Sequence, residues 1–148
     1  MRQWMCNPLM LCQKHLLGEH VEHHMFVGTF KKKLKIDGYI KNNLVEPLSI
    51  PSRHYVLAWE LVRRSLIKYN GKKYTSHQSW INENEYDNII QYLPYEQQIH
   101  KINKENAIND LLNRCVDCQI RYFKLIKNQL DIFNSYFLPS HYNIYDDL

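Results

Sequence analysis

The chain has 148 residues, enough for one domain. Hydrophobic residues make up 45% of it and charged residues 23%, which excludes a wholly disordered, collagen-like or low-complexity protein. No apolar run approaches the ~20 residues of a membrane-spanning helix, and the first residues lack the apolar core of a signal peptide. We therefore expect an intracellular protein with its four cysteines as thiols. Its compartment would be the cytoplasm or nucleoid, or the cytoplasm of an infected cell if the source is viral.

The charge is distributed unevenly along the chain. The formal net charge is only +4, but residues 1–74 hold 13 Lys and Arg against 5 Asp and Glu, whereas residues 75–148 hold 6 against 10. A basic first half favours a polyanionic partner, of which nucleic acid is the commonest. A basic surface that simply faces water is the alternative, and composition alone leaves it open.

Apolar residues recur at helical spacing over three long stretches, and glycine and proline are few. The pattern predicts helices at residues 7–33, 52–68 and 104–130. Asn7 and Pro8 are typical of a helix start, and Gly71 of a helix end. Looser connections are predicted at 36–51 and 70–100, and an extended, aromatic-rich end after Leu138. The sequence thus predicts an all-α fold of three main helices with long irregular connections, forming one domain over 1–148 whose tail begins after about residue 130.

The first predicted helix carries an unusual polar stripe. His15, Glu19 and Glu22 follow one another at spacings of four and three residues, so they share one face. Such a stripe can simply face water. Two carboxylates three residues apart repel each other slightly. A cationic group facing the stripe would offset this repulsion.

Four lysines lie close to the end of this helix: Lys31, Lys32, Lys33 and Lys35. They favour the negative end of the helix dipole, and they would also suit contacts with DNA phosphates. Both interpretations remain open.

The segment 14–32 resembles the pyrimidine dimer DNA glycosylases of the phage endonuclease V type. The family pattern of an early arginine, a histidine, two glutamates, a glycine and a basic pair is matched without gaps by Arg2, His15, Glu19, Glu22, Gly28, Lys31 and Lys32. The resemblance is clear over residues 1–70, where Arg53 matches the start of the family's second helix, and looser over 100–121.

The resemblance implies a DNA repair enzyme that uses the amine of its first residue as nucleophile. The same register places that amine on Met1 and the family's catalytic carboxylate on Glu22. An amine must be uncharged to attack, and α-amino groups, with pKa values near ~7.7–8.0, lose their proton more readily than lysine at ~10.4. Glu22 would stabilise positive charge on the sugar and move protons. Residues expected to flank the site or contact DNA are Arg2, His15, Glu19, His20, His24, Lys31, Lys32, Lys33 and Arg53.

The sequence departs from the family pattern at three places. The bulk of Arg2 should prevent removal of Met1, whereas the family begins with a threonine exposed by such removal. Two arginines that hold phosphates in the family fall at Val21 and Met25. The tail does not clearly match the aromatic and basic end of the family.

Other interpretations concern metal, binding and lesion type. His20 and His24, with Cys115 and Cys118, could bind zinc, although one Cys-x-x-Cys inside a helical pattern is more typical of packing. A non-catalytic DNA-binding module and a lyase for other lesions also remain open. We expect a monomer that needs no metal or cofactor, avoids membranes and acts on double-stranded DNA carrying ultraviolet lesions or abasic sites.

Overall fold

The structure is a computed structural model that describes residues 1–69, 71 and 80–137. The predicted extended end after Leu138 and part of the predicted connection at 70–100 lie outside the described residues. The helices are α1 (Gln13–Lys31), α2 (Asp37–Lys41), α3 (Ile50–Arg63), α4 (Glu83–Ile89), α5 (Tyr95–Gln98), α6 (Lys104–Arg114) and α7 (Val116–Phe137). Because no described residue forms a strand, the predicted all-α class is confirmed.

The first long helix begins later than the sequence predicts. Asn7 does act as a cap, with its side-chain oxygen accepting the N–H of Leu9 at 3.0 Å. It caps only a short 3-10 turn, Pro8–Met10, after which Leu11 turns to extended backbone. The helix itself starts after Cys12, so Cys12 lies at the N-terminus of α1 instead of inside a helix.

The second long helix begins and ends before the predicted positions. Pro51 lies in its first turn, where a missing N–H costs nothing. It ends at Arg63, followed at Ser65 by left-handed backbone with φ of 60°. Gly71 is therefore not the residue that ends it.

The third predicted helix is two helices. Cys115 has extended backbone, with φ of −135° and ψ of 107°, and it ends α6. The helix resumes at once as α7. Apolar spacing runs through this break, which is why periodicity alone predicted one helix. As a result, Cys115 and Cys118 lie at the start of α7.

The buried side chains form two cores that share α1. The first core packs the early half of α1 against α3, α6 and α7, and includes Trp4, Met10, Leu11, Leu16, Leu57, Leu61, Leu111 and Cys118. The second packs the later half against the following turns and α4, and includes Phe26, Phe30, Ile36, Val45, Ile50, Tyr86 and Ile90. Trp4 belongs to the first core and Met1 packs against the second. The first four residues therefore lie where the two cores meet.

None of the described helices is both long enough and apolar enough to cross a membrane.

Candidate active site

The first residues of the chain lie between α1 and the segment that precedes α3. The backbone N–H of Gln3 donates to the carbonyl of Leu44 at 2.8 Å, and the Gln3 side-chain oxygen accepts the N–H of Glu46 at 2.5 Å. On the other side, the N–H of Trp4 donates to Glu19 at 2.9 Å. Gln3 and Trp4 are buried, so the segment is held on both sides.

Glu22 lies against the first peptide bond. Its Oε2 accepts the backbone N–H of Arg2 at 2.8 Å. Three covalent bonds separate that nitrogen from the α-amine of Met1, so the amine lies within about 7 Å of the carboxylate. Met1 and Glu22 are both partly buried, and α1 therefore presents a carboxylate beside the first residue.

Glu19 and Arg53 form a buried ion pair beneath this surface. Arg53 donates from Nε and Nη2 to the two carboxylate oxygens of Glu19, each at 2.8 Å, and from Nη1 to the carbonyl of Cys6 at 2.6 Å. The Glu19 side chain is 0% exposed and that of Arg53 is 7% exposed. The expectation that these two residues contact DNA is corrected here, since buried and fully paired groups position the N-terminal segment instead.

Arg2 joins the N-terminal segment to α6. Its Nη1 lies 2.5 Å from Oδ2 of Asp110, and its guanidinium carbon lies 3.7 Å from the centre of the Trp4 ring. Arg114 also pairs with Asp110. Burial alone would raise the pKa of Asp110, but hydrogen bonds from Arg114 and Arg2 hold it below its ordinary value. The Nε of Arg2 is buried and has no hydrogen-bond partner among the described residues.

His23 is a neutral, fully buried link between α1 and the N-terminal segment. Its Nδ1 lies 2.7 Å from the carbonyl oxygen of Glu19, and its Nε2 lies 3.1 Å from the side-chain nitrogen of Gln3. Burial lowers the pKa of His23 to about 4. A neutral ring that donates from Nδ1 and accepts at Nε2 satisfies both contacts.

His20 and His24 lie in a cluster with His54 of α3. The ligand nitrogens of the three rings lie within 4.8 Å of one another. The Nε2 atoms of His24 and His54 are 3.0 Å apart, and Trp80 stacks on His54 with ring centres 3.6 Å apart. His20 is 2% exposed, so it is not a surface group for DNA, and this corrects its predicted role.

His15 faces a group of cysteines. Its Nδ1 lies 3.2 Å from the sulfur of Cys12 and 3.6 Å from that of Cys118. The sulfurs of Cys12 and Cys115 are 3.8 Å apart. Burial, and then the positive charges of Lys14 and Arg114, lower the pKa of His15. These four residues could hold a metal. The predicted combination of His20 and His24 with Cys115 and Cys118 is not formed, because the two pairs belong to separate clusters.

The predicted lysines lie at the exposed end of α1. Lys31, Lys32 and Lys33 are exposed, and Lys31 pairs with Glu85 at 3.6 Å. Nine residues separate Lys31 from Glu22, which is about 14 Å along the axis and half a revolution around it. Lys31 therefore lies on the opposite side of α1 from Glu22. Lys32 and Lys33 come after the last residue of α1.

The chain was compared with protein-family models, with curated proteins and with solved structures. None of them matches. The resemblance to dimer glycosylases thus depends on the residues already named and on where the structure puts them.

Sequence reasoning missed Cys12, Gln3, His23 and His54. A signal for Cys12 was present, because it precedes His15 by the same three residues that separate Cys115 from Cys118. For Gln3 and His54 no local pattern exists, since their partners are distant in the chain.

Proposed function

We propose that this protein is a DNA repair glycosylase that excises pyrimidine dimers and then cuts the strand at the resulting abasic site. The observation that carries the proposal is the 2.8 Å hydrogen bond from the backbone N–H of Arg2 to Glu22. It holds a carboxylate within about 7 Å of the α-amine of Met1, and an amine with a carboxylate nearby is the pair that this chemistry needs.

The chemistry proceeds in two stages. The uncharged amine of Met1 forms a bond to the anomeric carbon of the deoxyribose, and the bond from sugar to base breaks. The base takes up a proton and stays joined to the neighbouring pyrimidine through the cyclobutane ring of the dimer. The ring oxygen then takes a proton and the sugar opens to an imine. Removal of a proton from the neighbouring carbon breaks the bond to the 3′ phosphate, which leaves. Proton donation and removal are assigned to Glu22.

The mechanism requires that the α-amine of Met1 be free in the mature protein. It also requires that the site stay rigid, because misplacement of the reacting groups by about 1 Å can lower the rate about 100-fold. The burial of Gln3 and Trp4 and the pairing of Glu19 with Arg53 supply that rigidity. Glu19 and Arg53 are thus positioning residues for the N-terminal segment.

DNA contact is assigned to the exposed lysines and to Arg2. Lys32 and Lys33 are exposed, and the buried Nε of Arg2 offers a donor that a phosphate oxygen would satisfy after a small shift of the side chain. Pairing of Arg2 with Asp110 holds its guanidinium near the site in the absence of DNA.

Two exposed apolar side chains favour a second candidate, a lyase that acts on abasic sites. Val21 and Met25 are 52% and 51% exposed, at positions where the resemblance implies phosphate-binding arginines. Kinking a duplex and flipping a base costs several kcal/mol, and these apolar groups cannot supply phosphate contacts to offset it. An abasic site already lacks a base and needs less distortion.

Borohydride trapping on two oligonucleotides tests the proposal, one carrying a cyclobutane pyrimidine dimer and the other an abasic site. Intact-mass measurement first establishes that the protein begins at Met1. We expect a covalent adduct on the dimer substrate, mapped by peptide mass spectrometry to Met1. The adduct should be lost when one glycine is placed before Met1 and strongly reduced in Glu22→Gln, but kept in the control Glu105→Gln, which changes an exposed carboxylate of α6.

Each outcome decides between the candidates. Trapping on the abasic site alone would favour the second candidate. Adduct formation on a lysine, or full trapping by the extended protein, would exclude the amine of Met1. Salt-sensitive DNA binding without any adduct would indicate a non-catalytic DNA-binding module.

A further inference from the structure

Two distant segments bring four metal-ligating atoms together beside the first core. Residues 12–15 lie at the start of α1, with Cys12 just before it, and residues 115–118 lie at the start of α7, with Cys115 just before it. Even so, Cys12, His15, Cys115 and Cys118 place one ligand atom each within 4.8 Å of all the others. Such a meeting of three sulfurs and one imidazole nitrogen depends on about a hundred intervening residues, so it is not a product of local spacing.

Two of the separations match those around a single tetrahedral ion, and all of them lie within 4.8 Å. With Zn–S near ~2.3 Å and Zn–N near ~2.0–2.1 Å, a tetrahedron places two sulfurs about 3.8 Å apart and a sulfur and a nitrogen about 3.6 Å apart. The sulfurs of Cys12 and Cys115 are 3.8 Å apart, and the sulfur of Cys118 lies 3.6 Å from Nδ1 of His15. The sulfur of Cys12 and Nδ1 of His15 are closer, at 3.2 Å.

Backbone N–H groups donate to two of the three sulfurs of the cluster. The N–H of Cys12 donates to the sulfur of Cys118 at 3.3 Å, and the N–H of Cys118 donates to the sulfur of Cys115 at 3.4 Å. Cys12 directly precedes α1 and Cys115 directly precedes α7. Thiolates are favoured at helix N-termini, where the helix dipole is positive, and thiolate is the form that binds metal.

A disulfide explains the cluster less well than a metal. A disulfide needs sulfurs about 2.05 Å apart, joins only two of the three cysteines and gives no role to the histidine. Ordinary packing does not require the ring nitrogen of His15 to lie against two sulfurs. The mixed set of three thiolates and one imidazole is instead a frequent ligand set of structural zinc.

The histidine cluster is a weaker candidate. His20, His24 and His54 offer three nitrogens, but the 3.0 Å between the Nε2 atoms of His24 and His54 is a hydrogen-bond distance. Trp80 covers one face of His54. A hydrogen bond and ring stacking account for this arrangement without an ion.

We propose that Cys12, His15, Cys115 and Cys118 bind one structural zinc ion. The ion would be held by the three sulfurs and by Nδ1 of His15, which leaves no open coordination position for catalysis. It would staple the start of α1 to the junction of α6 and α7. Arg2 bonds to Asp110 of this same α6, so the ion supports the segment that carries Met1 without taking part in its chemistry.

Zinc content of the full-length protein tests the site. The protein is produced without a metal-affinity step in medium holding zinc and iron, treated with a weak chelating resin, and assayed by elemental analysis. We expect about one zinc ion per chain in the wild type and in the matched control Cys6→Ser, whose buried cysteine lies outside the cluster. Cys12→Ser and Cys118→Ser should lower zinc affinity by ~100-fold or more, and His54→Asn should leave it unchanged.

Cobalt substitution of the wild type provides a measurement that does not depend on the folding of any variant. Tetrahedral Co²⁺ with three thiolates should show intense visible bands and sulfur-to-cobalt charge-transfer absorption, which zinc then displaces. Octahedral cobalt spectra, iron in place of zinc, or zinc retained by Cys118→Ser but lost by His54→Asn would each overturn the assignment. Because metal content and borohydride trapping are separate readouts, the zinc site and the proposed enzyme activity can fail independently.

Discussion

Two carboxylates three residues apart on α1 have opposite surroundings. Glu19 is fully buried, and its carboxylate accepts two hydrogen bonds from Arg53 and one from the backbone N–H of Trp4. Glu22 is only partly buried and accepts the N–H of Arg2. The same residue type on the same helical stripe thus serves structure at one position and is available for chemistry at the other. The difference lies in what each carboxylate contacts. Arg53 of α3 pairs with Glu19, whereas among the residues that the structure describes Glu22 accepts its hydrogen bond from the N-terminal segment.

The largest effect should come from Glu22→Gln. Gln keeps an oxygen for the N–H of Arg2 but cannot hold or transfer the proton, so strand cleavage at an abasic site should slow by ~10³-fold or more, about 4 kcal/mol of barrier. The free energy of unfolding should change by less than about 1 kcal/mol. Single-turnover cleavage and urea denaturation measure the two quantities. Undiminished cleavage would remove Glu22 from the mechanism.

Glu19→Gln should have the opposite profile. Arg53 would remain buried without its counter-charge, so the free energy of unfolding should fall by about 3–4 kcal/mol. The exposed control Glu105→Gln should stay within about 0.5 kcal/mol of the wild type. Urea denaturation measures both variants. A Glu19→Gln protein as stable as the wild type would show that the ion pair does not hold the N-terminal segment.

Acid should weaken the same region through His23. Its pKa is about 4 in the folded protein against 6.5 ordinarily, so below pH 6.5 the unfolded chain takes up a proton that the folded protein refuses. The contribution of the neutral His23 ring to the free energy of unfolding is therefore fully present above pH 6.5. It is lost as the pH falls toward 4, and the loss is about 3 kcal/mol at most. We expect His23→Gln to remove this part of the pH dependence. Denaturation series from pH 7.5 to 4 compare the two proteins, and parallel curves would contradict the prediction.

The smallest effect concerns the lysines. Lys32→Gln and Lys33→Gln should each weaken DNA binding a few-fold, because each variant loses one phosphate contact. Each should also reduce the steepness of log binding constant against log salt concentration by about 1. Lys127→Gln on α7 is the matched control for an exposed lysine away from α1. Fluorescence anisotropy across a salt series measures the slope. Equal slopes in all three variants would place the DNA surface elsewhere.

Helical periodicity predicted the fold class and located the long helices, because burial of one face repeats every 3.6 residues. It failed at the ends of helices, where single residues decide. Cys12 and Cys115 are extended, and neither carries a sequence signal as strong as glycine or proline. The break at Cys12 separates the turn Pro8–Met10 from α1, and the break at Cys115 divides the last predicted helix into α6 and α7.

The candidate site divides in the same way. The pairing of Met1 and Arg2 with Glu22 was implied by the family resemblance, whose pattern fits these positions without a gap, and the structure places Glu22 against the first peptide bond. The burial of Glu19, and the hydrogen bonds of Gln3 and His23, depend on partners at positions 44–53 or across the N-terminal segment. Spacing along one helix carries no information on which residue another helix brings to it.

By itself, the sequence determined an all-α chain, a polar stripe on its first long helix and one Cys-x-x-Cys spacing, all of which are local properties of residues a few positions apart. Only the tertiary structure decided that α3 neutralises Glu19 and that Glu22 stays beside the first peptide bond. It alone joined Cys12 and His15 to Cys115 and Cys118. The physical reason is that each of these contacts is made by groups that are adjacent in space only after the two cores have packed.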